Sequence, residues 1–326
     1  MGVLRDEFRQ AAIALIEQYE LSPARDHILE RCSECIHIAS AGADDYSATG
    51  NSRFGGAPDL PLEIDWPSHQ RPDGEVRYAN FLCQINFSEL PKANLAPLPP
   101  RSGMLYLFAR SIESAAEPAL VDGLFYEGDL ARLCRREPPR NEQLLDDEYL
   151  IDLKPNRVKY TAGFDCDANG RAFLREVGAL CADDRAGERF QSFCFDIPSI
   201  GLGQLFGYAN AVDAHLRRQV ALSQLGGRQH QFADYWDSYE EYEAAKLRWP
   251  DMAERYERKR PGVEWILNNA AAIQAEHDRW QQLLRINSNK SMDFWILDAD
   301  PLYVFVRSED LGAKRFDELA AEVTQG

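Results

Sequence analysis

The sequence predicts an α+β protein: two similar antiparallel sheet units related by an internal repeat, with an N-terminal helix and a helical insert. Three observations carry this reading. Leu105-Tyr106-Leu107-Phe108-Ala109-Arg110-Ser111 returns late in the chain as Leu302-Tyr303-Val304-Phe305-Val306-Arg307-Ser308. Upstream of these, Gln84-Ile85-Asn86 is matched by Arg285-Ile286-Asn287, so a pair of strands repeats in order. Between the two pairs, residues 211–284 change to helical spacing of apolar positions.

Taken in order, Leu4, Phe8, Ala11, Leu15 and Tyr19 recur at helical spacing and predict an amphipathic helix over residues 3–19. A short second helix is expected from Ser22-Pro23, where serine can cap and proline suits the first turn. Cys35 to Ala39 reads as a strand. The stretch from Asn51 to Pro91 organises the rest of the chain: Gly55-Gly56 permits positive φ, and Pro58, Pro61 and the Trp66-Pro67 corner stiffen the backbone. This is a rigid, ordered loop feeding the apolar strand from Phe81 to Phe87. Further strands are expected at Gly103 to Arg110, Leu120 to Tyr126 and Val158 to Thr161. Phe190 to Ile197 alternates aromatic and polar residues and reads as a half-buried strand.

Within the insert, Val212, Leu216, Val220 and Leu225 form a stripe that Gly226-Gly227 stops. Helical character continues over residues 233–249 and 262–284, interrupted by Pro250 and Pro261. The whole reads as a single domain, with N-terminal helices at 1–31, a first sheet half at 32–111 and central strands at 112–198. The second half, carrying the insert, covers 199–326.

A formal charge of −17 argues against nucleic acid or an anionic membrane as direct ligand, and for cations or a basic protein partner met by electrostatic steering. The charged N-terminus does not resemble a signal peptide, and no long apolar run predicts a membrane span. Seven scattered cysteines suit reduced thiols, so a cytoplasmic location is expected. Cys32-Ser33-Glu34-Cys35 with His37 lacks both the spacing for haem attachment and a second ligand pair for zinc. Neither metal nor cofactor is expected.

No serine nucleophile elbow, phosphate-binding loop or zincin helix is present, and Ile200 to Gln204 lacks a full nucleotide fingerprint. Glu63 and Asp65 flank the Trp66-Pro67 corner as a formal acid–base pair, but loop carboxylates of this kind are mostly solvated. Enzymatic activity is not expected. Arg53, Gln84 and Gln204 are candidates for a polar pocket, and with Gly55, Gly56 and Trp66 they define a ligand-binding or structural loop. The most unusual stretch, Ala233 to Ala244, sets Asp234, Asp237, Glu240 and Glu241 beside Trp236 and three tyrosines. Aromatic anchors among carboxylates are the composition of a surface that grips a cationic protein; the bland alternative is a helix with its tyrosines in the core.

Ser52-Arg53-Phe54-Gly55-Gly56, Pro58, Trp66-Pro67, Phe81 to Asn86 and Gly103 to Phe108 resemble the YwqG-like family, a bacterial domain of unknown function. The likeness resumes at Gln204 to Tyr208, at Trp280 with Leu283 to Ile286, and at Leu302 to Phe305. Some members of that family stand beside polymorphic toxins, including type VI secretion effectors, and look like immunity proteins. The resemblance therefore implies a protein that binds and neutralises a cognate basic toxin domain, with a nuclease effector as the favoured class. The alternative is a small-molecule-binding protein, or an enzyme, using a cleft between the halves.

Overall fold

The computed structural model describes residues 4–70, 74–112, 118–139, 153–168, 170–197, 201–209, 215–233, 238–296 and 299–323. Residues 1–214 together with 281–326 form one compact unit, and residues 215–280 form another. Among the described residues no helix is long and apolar enough to cross a membrane.

The first unit opens with α1 (Asp6–Gln18), which buries Ala12 and Ile16 and places Asp6 and Glu7 in its first turn, where the helix dipole favours negative charge. A single turn at Ser22–Ala24 leads to α2 (Arg25–Leu29). Strands follow as β1 (Cys32–Ala43), β2 (Arg53–Phe54), β3 (Asp59–Pro61), β4 (Ser68–Gln70), β5 (Val76–Tyr78), β6 (Asn80–Asn86), β7 (Met104–Ser111), β8 (Leu120–Tyr126), β9 (Leu133–Arg135) and β10 (Asn156–Cys166). Then come α3 (Arg171–Cys181), α4 (Ala186–Asp196) and β11 (Gly203–Leu205).

The second unit contains α5 (Leu216–Gln224), α6 (Tyr239–Arg248), α7 (Ala253–Asn268) and α8 (Ala270–Arg279). It packs Leu222, Tyr242, Val263, Ile266 and Ile273 into its own core. As expected, glycine ends α5: Gly226 takes φ +69° and Gly227 N–H returns to the Leu222 carbonyl at 2.7 Å. The chain finishes with β12 (Trp280–Ile286), β13 (Leu302–Arg307), α9 (Ser308–Gly312) and β14 (Ala320–Val323).

Ten strands make one sheet in the order β14-β13-β12-β11-β1-β10-β2-β6-β7-β8, and its described pairings are antiparallel. Ala119, just before β8, bridges Ala321 of β14, so the two edges meet and the sheet is nearly closed. The period-two alternation of its strands sorts residues between two faces. Ile38, Ile85, Leu107, Leu205, Leu284 and Val304 fill the largest apolar core. On β6 and β7 the alternate positions Phe81, Tyr106 and Phe108 pack instead with Leu60 and Trp66 of the organising loop. A further core joins α1 to α4 with the ends of β1 and β10 through Ile16, Ile28, Phe164, Phe190 and Phe193.

Three local expectations fail. Phe190 to Ile197 is helical, not a strand: Phe190, Phe193 and Ile197 are buried at three- and four-residue spacing, while Phe195 stays 58% exposed. The helix read over 262–284 ends at Arg279: the stripe through His277, Trp280 and Leu284 runs on in sequence, but the chain turns into β12 at Trp280. Pro261 does not interrupt its helix but lies inside α7. Both Pro261 and Glu257 are exposed, so the Glu257 carbonyl that loses its helical donor can turn to water.

Candidate functional site

Arg53 is the centre of the organising loop. It lies on β2 opposite Gln84 of β6 and is fully buried. A guanidinium taken out of water must be paired on every edge. Its Nε donates to Asp44 Oδ2 at 2.5 Å, one terminal nitrogen donates to Asp59 Oδ2 at 2.9 Å, and the other donates to the Ala57 carbonyl. Asp59 also accepts from Arg135 Nε at 2.6 Å, from Gly50 N–H at 3.0 Å and from Gln84 Nε2 at 2.9 Å. Gln84 Oε1 meanwhile accepts from Asp59 N–H at 2.7 Å. The Tyr46 ring stacks against both guanidinium groups, Arg53 at 4.8 Å and Arg135 at 3.9 Å.

The flanking residues are fixed by backbone contacts of their own. Gly55 and Gly56 adopt φ +69° and +72° and donate to the Leu82 and Leu153 carbonyls, each at 2.7 Å. Trp66 is buried, with Nε1 donating to the Ala79 carbonyl at 2.8 Å. Thus Arg53 and Gln84 meet at the Asp59 carboxylate, while Gly55, Gly56 and Trp66 are each held by a backbone carbonyl outside that network. Glu63 stands apart in an exposed ion pair with Arg132, and Asp65 is exposed.

Gln204 belongs to a different cluster. On β11 it lies opposite His37 of β1 and Arg285 of β12. Its Nε2 donates to Asp165 Oδ2 at 2.7 Å and to the Phe206 carbonyl at 3.0 Å, and Asp165 Oδ2 also takes Tyr208 N–H at 3.1 Å. Cys35 Sγ sits 3.8 Å from His37 Nε2, a spacing that invites a nucleophile reading. The electrostatics oppose it. Burial pushes the Cys35 thiol well up, with the Asp165 charge adding to the effect, and burial together with the Arg285 charge lowers His37. The pair is a neutral thiol beside a neutral imidazole, the reverse of an activated cysteine.

The two clusters also predict opposite responses to pH. Burial alone would raise Asp59, but hydrogen bonds from Gln84 and Gly50 with the Arg53 charge outweigh it and hold the carboxyl below the usual range. Asp44 behaves likewise, burial being outweighed by hydrogen bonds from Arg53 and Asn51. Stability from such depressed groups is present above the unfolded value, about pH 4, and is lost as pH falls through the folded value. Asp165 is instead raised, because burial outweighs its bonds from Gln204 and the Arg285 charge. Its contribution is full below the unfolded value and lost as pH rises through the folded one. In urea unfolding below about pH 5, Asp59→Asn should flatten the acid loss of stability and Asp165→Asn should steepen it. Equal slopes in both variants and the parent would refute this assignment.

Of the residues expected to hold a partner, Asp234, Trp236 and Asp237 lie outside the described residues. Glu240 and Glu241 are exposed in the first turn of α6, capped by Ser238 Oγ, which accepts from Glu241 N–H at 3.2 Å. The tyrosines divide: Tyr242 is buried and its hydroxyl donates to the Tyr256 carbonyl at 2.7 Å, while Tyr239 is half-buried. Sequence reading missed the end of this segment. Leu247, Trp249 and Met252 are 81%, 56% and 39% exposed. The signal was available, since Leu247 falls off the helical face that Tyr239 and Tyr242 mark and Pro250 closes the helix after it.

Compared with known families, residues 52–323 match the model described as Domain of unknown function (DUF1963). No curated protein matches the chain.

Proposed function

We propose that this chain, which belongs to the DUF1963 family, is an immunity protein that binds and neutralises a cognate basic toxin domain. The observation that carries the reading is the exposed apolar surface of Leu247, Trp249 and Met252, in a segment that also exposes Glu240, Glu241, Asp251 and Glu254. Arg248, over the Trp249 ring, and Arg255 are exposed there too, and large apolar side chains left in water among such charges fit the anatomy of an interface, with anchors at its centre and charges at its rim. Residues 215–280 hold 10 Lys and Arg against 11 Asp and Glu, so nearly all of the net −17 lies on the rest of the chain. In this reading that field steers the encounter, and the helical surface supplies contact. The resemblance to YwqG-like proteins, some of them neighbours of polymorphic toxins, points the same way. A non-catalytic, cytoplasmic inhibitor of a nuclease effector remains the favoured form.

The competing small-molecule reading loses ground, because Arg53 and Gln84 are fully engaged within the loop and Gln204 lies in a separate cluster. The direct test is surface plasmon resonance, which reads both rates, with any toxin-like domain that a neighbouring reading frame encodes. Leu247→Asp combined with Trp249→Ala should weaken binding by roughly thirtyfold or more, chiefly through faster dissociation. Glu240→Gln with Glu241→Gln should slow association and reduce its salt dependence. If the parent binds no such domain and gives no protection, the immunity role fails.

We propose also that the sheet consists of two similar units related by an internal repeat. Supporting this, the strand order reads the same outward from the central β1–β10 pair: β2, β6, β7, β8 on one side and β11, β12, β13, β14 on the other. Gly50, three residues before Arg53, accepts through its carbonyl from Asn86 at 2.7 Å; Gly201, three before Gln204, accepts from Asn287 at 3.1 Å. Two consecutive positive-φ residues come after each short strand, Gly55-Gly56 and Phe206-Gly207. The central pair is exchanged, arginine facing glutamine as Arg53 and Gln84 in one half and as Arg285 and Gln204 in the other. An experimental structure in which residues 50–56 with 80–86 fail to superpose on 201–207 with 281–287 would remove the repeat.

A further inference from the structure

We propose that Cys194, Cys166 and Cys32 form an oxidation site in which an outer thiol meets peroxide and two inner thiols store the oxidised state as a disulfide. Cys32 of β1 and Cys166 of β10 are directly opposed. Asp167 N–H donates to the Arg31 carbonyl at 3.0 Å, making that neighbour the hydrogen-bonded pair of the ladder. Cys32 and Cys166 therefore occupy the non-hydrogen-bonded position, where Cα atoms approach to about 4.5 Å, inside the range that a disulfide spans. Both thiols donate to one acceptor, the Ile28 carbonyl, at 3.4 Å and 3.9 Å, so their sulfurs occupy the same small space. Cys194 of α4 packs against the same apolar core that holds Cys32 and Cys166, near enough for its thiol to help raise that of Cys166. Cys32 and Cys166 are 2% and 1% exposed, whereas Cys194 is half-buried. All seven cysteines are free thiols.

The arrangement sets an order of events. Cys194 is the one of the three that solvent reaches, and burial, reinforced by its two thiol neighbours, also pushes the Cys166 thiol well up, so first attack on a hydroperoxide falls to Cys194. The Cys194 thiolate forms an S–O bond as the O–O bond breaks, hydroxide leaves, and a sulfenic acid remains. Cys166 sulfur then attacks the Cys194 sulfur; the S–S bond forms, the S–O bond breaks, and the departing hydroxide takes the thiol proton as water. Cys32 can next attack Cys166, displacing the Cys194 thiolate and leaving Cys32–Cys166 joined. In sum, one hydrogen peroxide is reduced to two waters as two thiols become one disulfide.

Treating the full-length chain with limiting hydrogen peroxide, alkylating the remaining thiols and mapping the peptides by mass spectrometry tests the site. The parent should yield Cys166–Cys194 and Cys32–Cys166 linked peptides, while Cys134 and Cys181, also half-buried, form no linkage with each other or with these three. Cys32→Ser should stop at Cys166–Cys194. Cys166→Ser should form neither linkage, and dimedone labelling of Cys194 should rise by about tenfold as its sulfenic acid persists. Cys194→Ser, a change on the half-buried helix that leaves both strands intact, should lower the Cys32–Cys166 yield by about tenfold at the same peroxide dose. No linkage among these thiols in the parent would overturn the site, and an unchanged yield in Cys194→Ser would overturn the relay.

Discussion

Replacing Arg53 with methionine is expected to lower the unfolding free energy by about 3–5 kcal/mol at neutral pH. Methionine fills most of the vacated volume, so the loss isolates charge from packing. What remains is two buried carboxylates, Asp44 and Asp59, whose side chains are at most 1% exposed and whose closest cation has gone. Arg135 still reaches Asp59, but among the described ion pairs Asp44 has only Arg53. Arg53→Lys should recover only part of the loss, since one ammonium cannot meet two carboxylates and the Ala57 carbonyl in the fixed planar geometry of the guanidinium. Urea unfolding followed by circular dichroism measures all three proteins. Because protonation removes the stranded charges, the gap between parent and Arg53→Met should narrow below about pH 4. A loss under about 1 kcal/mol at pH 7 would mean that the network carries little stability.

That network also marks how far the sequence can be read. The strands at Phe81 to Phe87 and Gly103 to Arg110 are legible because their apolar residues are contiguous and glycine or proline bounds them. The first helix and the glycine stop of α5 are legible for the same local reason. Arg53 stands out as unusual, but its partners cannot be assigned locally: Arg135 lies 76 residues from Asp59, and Asp44 reads as one more acid in a loop. Residue type alone groups Gln204 with Arg53; register places it with His37, Asp165 and Arg285. Phe190 to Ile197 misleads because three aromatics in six residues fit either period, and only the packing of Phe190 and Phe193 against the helical layer decides. At the proposed interface, sequence composition directs attention to Trp236, while the described exposure lies at Leu247 and Trp249. Composition draws the eye to the acidic aromatic run, whereas helical phase, which sets Leu247 off the face marked by Tyr239 and Tyr242, is the pattern that finds the exposed end.

Gly55→Ala is expected to destabilise the first unit by about 3 kcal/mol, combining roughly 1–2 kcal/mol of left-handed strain with a comparable term for overpacking. The strain arises from φ +69°, which an L side chain rarely adopts. The overpacking arises because an added Cβ would lie 2.5 Å from the Lys154 carbonyl oxygen. That carbonyl has little room to retreat. Lys154 N–H is bonded to the Met292 carbonyl at 2.7 Å, and the preceding Leu153 carbonyl accepts from Gly56 at 2.7 Å. Gly42→Ala supplies the comparison: φ there is +104°, but an added Cβ meets nothing within 4 Å, so it carries backbone strain without a collision. Phe206 shows that a side chain can be held at φ +61° when core packing fixes it there. If Gly55→Ala lost no more stability than Gly42→Ala in the same urea titration, the Lys154 segment would have to yield, and the loop around Arg53 would be softer than its hydrogen bonds imply.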